Sequence, residues 1–242
     1  MHGLRTENSD EDVRYVTMPS LRDIISPFKN DEIKVRNNKG EDEESWDIAH
    51  FCKHLTHGNP TVYEVIRTDF YDKSLPHAET IRSLMPLAFD GRKILLAHIG
   101  YAEAQLKRYL RKATEDFYTG EDYCDSNTKL SVIWEDNQIR RVPKSVVAAY
   151  RVLAQAKQLL TTGDFCPLVK DYSEELHDTL MHIKSMNHKD IDLKWVVMHK
   201  MCIEEEIQEL KSTYETLPDT IKHKTPDIQG IENVLCELYG VD

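Results

Sequence analysis

Asp10 and Asp12 stand one residue apart in the stretch HGLRTENSDEDVRYV, directly ahead of a β-branched run. Side chains two apart on a strand point to the same face, so a strand beginning at Ser9 would present both carboxylates together. Two carboxylates so placed repel each other unless a cation sits between them. Hard oxygen ligands with open positions suit Mg²⁺ or Mn²⁺, which dehydrate reluctantly and complete their shells with water and substrate phosphate. A bare D-x-D also describes a solvated acidic turn, so its chemistry depends on what surrounds it.

Other residues narrow the choice. The formal net charge of -11 argues against wholesale coating of nucleic acid, because such binding is dominated by Lys and Arg. The charge is uneven, however: from Ala78 to Leu160, 13 Lys and Arg face 10 Asp and Glu, which leaves room for a local phosphate-binding surface. His50, His54 and His57 line one helix edge, but no Cys or acidic partner stands at a fitting spacing for a metal. The five cysteines are widely separated and show no C-x-x-C spacing, so they read as reduced thiols. No apolar run is long enough for a membrane span and no secretory signal opens the sequence, so the expected location is the cytoplasm.

The elements that must position these residues follow from the pattern. DVRYVTM reads as a strand ended by Pro19, and EIKVR as a second strand that returns through NNKG into the acidic arm EDEES. The arm offers Asp42 and Glu44 on one face. WDIAHFCKHLTH has Ile48, Phe51, Cys52 and Leu55 at helical spacing, with Gly58 at the C-cap; Asn59 and Pro60 then cap and open a second helix. From residue 78 onward helices dominate. A stripe of Ile94, Leu95, His98, Tyr101, Ala102, Gln105, Leu106 and Tyr109 predicts helix packing, in which Tyr101 and Gln105 are packing residues. Asp116 to Val142 reads as a loop with at most one short strand or helix. Further helices are expected over Ser145–Thr161, Leu193–Tyr214 and from Thr225 and Pro226 to Gly240. The fold class is therefore α+β: a small mixed-sheet domain over residues 1–75, then a mostly helical domain over 76–242.

Four stretches, taken in order, resemble one family. GLRTENSDEDVRYVTMP is similar to the G-L-x-T-x-x-S-D-x-D-hydrophobic-R signature of predicted nucleotidyltransferases of the DNA polymerase beta superfamily. HFCKHLTHGNPTVYEVI is similar to that family's helix, G-N-P-T turn and glutamate-bearing helix, and IGYAEAQLKR to its G-Y-A-x-x-Q-x-K-R segment. KSVVAAYRVLAQAKQLLTTG is similar to its Lys, His and Arg helix, with Ala148 in place of the histidine and Lys144 and Arg151 keeping the flanking basic positions. The last third matches only in helical character. Family members carry a Gly-Ser pair shortly before the G-L stretch, and the sequence opens at Met1 without it, so the first strand and Gly-Ser element are absent from the N-terminal domain as given; the resemblance therefore implies either an upstream extension or a weakened phosphate grip.

The resemblance implies metal-dependent nucleotidyl transfer, in which an acceptor hydroxyl oxygen attacks the α-phosphorus of a nucleoside triphosphate in line and pyrophosphate leaves. Asp10, Asp12 and, as third carboxylate, Asp42 would be the catalytic Mg²⁺ or Mn²⁺ ligands, with Glu44 the alternative for the third. Lys144 and Arg151, two helical turns apart and so on one face, would bind the triphosphate together with Lys107 and Arg108. The partners are a nucleoside triphosphate and an acceptor, an RNA or DNA end among the candidates. A degenerate, non-catalytic nucleotide- or partner-binding module of the same fold is the rival reading.

Overall fold

The computed structural model describes residues 4, 13–20, 36–38, 41–68, 77–119, 127–132 and 134–241, with backbone alone at 13, 36–38, 41–44 and 116–119. Strand β1, Val13–Thr17, shows the period of two that its sequence predicts: Arg14 and Val16 are half-buried, while Tyr15 and Thr17 are exposed. Strands β2, Arg36–Asn38, and β3, Glu41–Asp47, form a hairpin as expected, pairing Arg36 with Glu43, Asn37 with Asp42 and Asn38 with Glu41, but Asn37 and Asn38, read as turn, are strand residues, and the rest of the predicted strand EIKVR lies outside the described residues. β3 is central in the order β1-β3-β2 and runs parallel to β1, with Val13 opposite Glu43 and Thr17 opposite Asp47. The sheet is thus mixed, as expected.

β3 continues through Trp46 and Asp47, where the sequence pattern predicts helix. Asp47 is the hinge between the two: it ends the strand and caps helix α1, Ile48–Thr56, its carboxylate accepting from the His50 amide at 2.9 Å. Ile48, Phe51, Cys52 and Leu55 are buried on the predicted face, and Phe51 meets Trp46 in a tilted ring contact. Gly58 has φ of +74°, and a Cβ there would stand 2.7 Å from the backbone of Lys93 and Ile94. Only glycine allows both the left-handed turn and that approach. Asn59 then caps helix α2, Pro60–Arg67, accepting from Thr61 and Val62, with Pro60 at its first position.

Short helices α3, Ala78–Arg82, and α4, Leu84–Leu87, lead to α5, Gly91–Gln105. The predicted stripe continues α5 without a break, but the chain widens into a π-helical turn over Leu106–Arg111 before α6, Lys112–Thr119. Among its described residues the segment expected to be a loop is largely helical. Helix α6 reaches into it, Lys129 pairs with Asp192 in an isolated antiparallel bridge, and α7, Asp136–Ile139, precedes α8, Arg141–Thr162. The bridge explains the missed order: its partner lies more than sixty residues away, where local periodicity carries no signal. α8 starts before Ser145 and ends at Gly163, whose φ is +78°.

Helices α9, Val169–Tyr172, α10, Glu174–Ser185, α11, Leu193–Thr216, and α12, Asp219–Lys222, follow. The last helix, α13, opens at Ile228 and not at Pro226, because Asp227 is the cap and accepts from the Gly230 amide at 2.9 Å. α5 packs along α8, and α8 also carries α10 and α11. The buried apolar side chains form one continuous cluster from Leu4 to Leu238. Among the described residues no helix is long and apolar enough to cross a membrane, and Cys52, Cys166, Cys202 and Cys236 are free thiols.

Candidate active site

Of the residues that the sequence singles out, Asp10 and Asp12 lie outside the described residues. Asp42 belongs to the backbone of β3, opposite Asn37, and its side chain is not among those described. Lys144 is exposed in the first turn of α8. Arg151 is not on a solvated face beside it. Its side chain is only 16% exposed and forms an ion pair with Glu64, itself 4% exposed. A seven-residue step does return to nearly the same face of a helix. At the height of Arg151, however, α2 covers that face: Glu64 meets the guanidinium and, one turn on, the Gln155 side-chain amide donates to the Pro60 carbonyl at 3.3 Å. Lys107 and Arg108 are exposed on the π-helical turn, with the Arg108 guanidinium 5.9 Å from the centre of the Tyr109 ring.

The four stretches that carry the family likeness meet around Arg151. From the first, Arg14 projects on the inner side of β1, the side it shares with Val16; from the second comes Glu64; from the third, Tyr101 on α5. Burial, reinforced by the charge of Arg14, lowers the Arg151 pKa to about 10. Burial raises the Tyr101 hydroxyl above the usual tyrosine range, and Arg14 pulls it back. Arg14 therefore lies within electrostatic reach of both Arg151 and Tyr101, and Glu64 pairs with Arg151. Guanidinium groups are always charged at neutral pH and present planar forks of donors that match phosphate oxygens.

The cavity next to this cluster, lined by Glu64, Arg151, Gln155, Gln158, Phe165 and Cys166 among others, holds only about 10 Å³. That is room for one water-sized molecule and not for a nucleotide.

The histidines of α1 are engaged locally. His50 Nδ1 lies 2.8 Å from the Asp47 carboxylate and His57 Nδ1 2.6 Å from the Lys53 carbonyl. Among the described residues no group of three His, Cys, Asp or Glu side chains could hold a metal ion. Asn59 and Pro60 are the structural turn that capping predicts.

Sequence reasoning missed Arg14 and Glu64 as members of the site and took Tyr101 for a packing residue. A signal existed for two of them. Arg14 follows Asp12 by two in the signature stretch, and Glu64 interrupts the otherwise apolar run Val62, Tyr63, Val65 and Ile66. A carboxylate at such a position requires a buried partner.

No curated protein and no solved structure matches the chain. Residues 1–237 match the family described as RNA repair pathway DNA polymerase beta family, RlaP. With that match running through all four stretches and on into the helical last third, the chain belongs to the RNA repair pathway DNA polymerase beta family.

Proposed function

We propose that the protein is a nucleotidyltransferase acting in RNA repair, moving a nucleoside monophosphate from a triphosphate to an acceptor hydroxyl, an RNA end being the acceptor class that its family suggests. The observation that carries this reading is the meeting of Arg14, Glu64, Tyr101 and Arg151, one residue from each motif stretch, at the strand that follows the two aspartates. On this reading residues 1–75 form the nucleotidyltransferase core and 76–242 the helical domain that completes the cleft.

Asp10 and Asp12 precede β1 in the sequence, and Asp42 belongs to β3, the strand that pairs with β1; from the resemblance we take these three carboxylates as the metal ligands. Three carboxylates are a hard oxygen donor set that fits Mg²⁺ or Mn²⁺. Such an ion, held by Asp10, Asp12 and Asp42, would neutralise phosphate charge and activate the attacking oxygen.

The chain's own groups do the rest. Lys144, exposed at the mouth of α8, receives the triphosphate together with Lys107 and Arg108 from the π-helical turn. Arg14 and Arg151 contribute positive potential that is fixed in advance, because burial and the Glu64 contact hold the Arg151 guanidinium in place. Preorganised charge of this kind stabilises the developing charge on phosphate without reorganising during the reaction.

The test is transfer from each labelled nucleoside triphosphate to RNA ends, DNA ends and a free nucleoside, with Mg²⁺ or Mn²⁺ present. Asp10→Asn combined with Asp12→Asn is expected to lower transfer by at least about 100-fold, the scale of losing a preorganised electrostatic group, with the circular dichroism spectrum unchanged. Wild-type protein that binds a triphosphate but transfers it to no acceptor would identify a non-catalytic module instead.

A further inference from the structure

α11 packs against both α5 and the π-helical turn, and an open groove of about 570 Å³ remains between them. Glu103 at the end of α5 and Arg111 on the π-helical turn line one wall, and Met201, Glu204 and Glu205 of α11 line the other, over the buried Ile207. The sequence of α11 accounts for this lining. Ile203, Ile207 and Leu210 recur at helical spacing and turn inward, each at most 3% exposed. Met198, Met201 and Glu205 recur three and four apart on the opposite face, where the two methionines are 48% and 54% exposed. The other large apolar side chains of α11 are buried or half-buried. The charge of the groove is uneven as well. The Arg111 guanidinium lies 3.1 Å from the Glu204 carboxylate, so its charge is matched within the groove. Glu103 and Glu205, both exposed, form no ion pair among the described residues. Apolar surface and unmatched negative charge therefore stand side by side.

We propose that this groove docks a cationic amphipathic helix of a protein partner, with the apolar side chains of that helix against Met201 and Ile207 and its Lys or Arg side chains against Glu103 and Glu205. Charge complementarity selects the occupant. A nucleic-acid strand would bring phosphates against two unmatched carboxylates, the reverse of what such binding requires. A second copy docked through the same groove would set Glu103 and Glu205 against their own counterparts. A helix laid between two helical walls presents apolar residues at i, i+3 and i+4 to the floor and keeps its charges at the flanks. Exposed methionines suit such a contact, because their unbranched side chains adapt to the shape they meet. Docking here is independent of nucleotidyl transfer, since none of these residues belongs to the triphosphate site.

Fluorescence anisotropy on the full chain, with two synthetic peptides of about 18 residues, tests the surface. One peptide carries Leu at helical spacing and Lys elsewhere; the other has Glu in place of every Lys. The Lys peptide is expected to bind and the Glu peptide not to bind. Glu103→Gln combined with Glu205→Gln should weaken the Lys peptide about tenfold, and Met201→Ser, which changes no charge, about fivefold. Glu232→Gln combined with Glu237→Gln removes the same charge from the exposed side of α13 and should change affinity by less than about twofold, since distant surface charges are screened. All the replaced side chains are exposed, and thermal melting followed by circular dichroism checks that each variant stays folded. An equal loss in the α13 variant, or wild-type affinity in Met201→Ser, would mean that the peptide follows net charge alone and overturns the proposal. Failure of the Lys peptide to bind overturns it too. A wild-type dimer in sedimentation that Met201→Ser dissociates would seat a second copy of the chain in the groove and likewise overturn the proposal.

Discussion

Tyr150 and Arg151 are neighbours on α8, yet they enter two unlike environments. Arg151 turns to the ionic side, where Glu64 from α2 pairs with it and Arg14 adds charge. Tyr150 turns to α11, where its hydroxyl lies 3.3 Å from His199 Nδ1 and where the His199 ring packs 4.2 Å from that of Trp195. Burial lowers the His199 pKa to about 4 and raises the Tyr150 hydroxyl, whose rise Cys202 reinforces, so these two groups stay neutral at ordinary pH. The ionic side gathers residues from all four motif stretches, whereas the neutral side joins α8 to a helix outside those stretches. The contrast teaches that one helix divides two tasks. A buried ion pair is a poor source of net stability; the aromatic and imidazole contacts on the other side hold α8 against α11.

The comparison breaks hardest at the ion pair. Glu64→Gln or Arg151→Met each leaves a buried charge without its partner, and each is expected to lower unfolding free energy by about 3 to 5 kcal/mol. Replacing both, Glu64→Leu with Arg151→Met, should recover most of that stability, since well-packed apolar residues of similar volume substitute for a buried pair at little cost. Triphosphate affinity should stay lost in the double variant. Urea unfolding and calorimetry on the three proteins check this. Restored binding alongside restored stability would mean that the pair is only a structural link between α2 and α8.

This division was partly legible in the sequence. β1, the β2-β3 hairpin, the turn from Gly58 to Pro60 and the long helices α8 and α11 were all readable, because period two, period 3.6 and capping are local properties. The end of β3 was misread because Asp47 serves as both strand end and helix cap, and the bridge between Lys129 and Asp192 because nothing within either segment announces it. The burial of Arg151 was missed for a related reason. Spacing assigned it a face with Lys144, but only the packing of α2 on α8 decides that the face is covered at one point and open at the other. Family likeness identified the four stretches without revealing that Arg14, Glu64, Tyr101 and Arg151 meet. The groove between α5 and α11 gave no signal at all, since it exists only in the folded chain.

Acid should act on the neutral side before it acts on Arg151. His199 and the fully buried His98, on α5, both have folded-state pKa values lowered to about 4 from about 6.5 by burial. Above pH 6.5 both states leave these rings neutral, and their contribution to stability is complete. As pH falls below 6.5 the unfolded chain takes up protons that the folded chain refuses, so stability drops until the folded rings protonate near pH 4. For His98 the loss is roughly 3 kcal/mol, at about 1.4 kcal/mol for each pKa unit, and His199 adds a loss of the same sign. Arg151, with a pKa near 10, keeps its charge throughout this window. Urea midpoints taken between pH 7.5 and pH 4 should fall, and His199→Phe should flatten part of the slope between pH 6.5 and 5. A flat profile over that interval would show that these rings accept protons in the folded state.

The finest separation of the two sides is a single oxygen. Tyr150→Phe removes the hydroxyl that meets His199 Nδ1 and leaves the ring, which packs edge-on to the imidazole with centroids 6.0 Å apart. Either group can be the donor, according to the histidine tautomer. A neutral hydrogen bond of this kind contributes about 0.5 to 1.5 kcal/mol net, and at 3.3 Å the lower half of that range applies. The variant should therefore be slightly less stable in urea. Because the hydroxyl points away from Glu64 and Arg14, triphosphate affinity should match that of the wild type, in contrast to every change at Arg151. If Tyr150→Phe instead lowers triphosphate affinity tenfold at unchanged stability, the aromatic side senses the nucleotide, and α8 couples its two faces where the structure shows them divided.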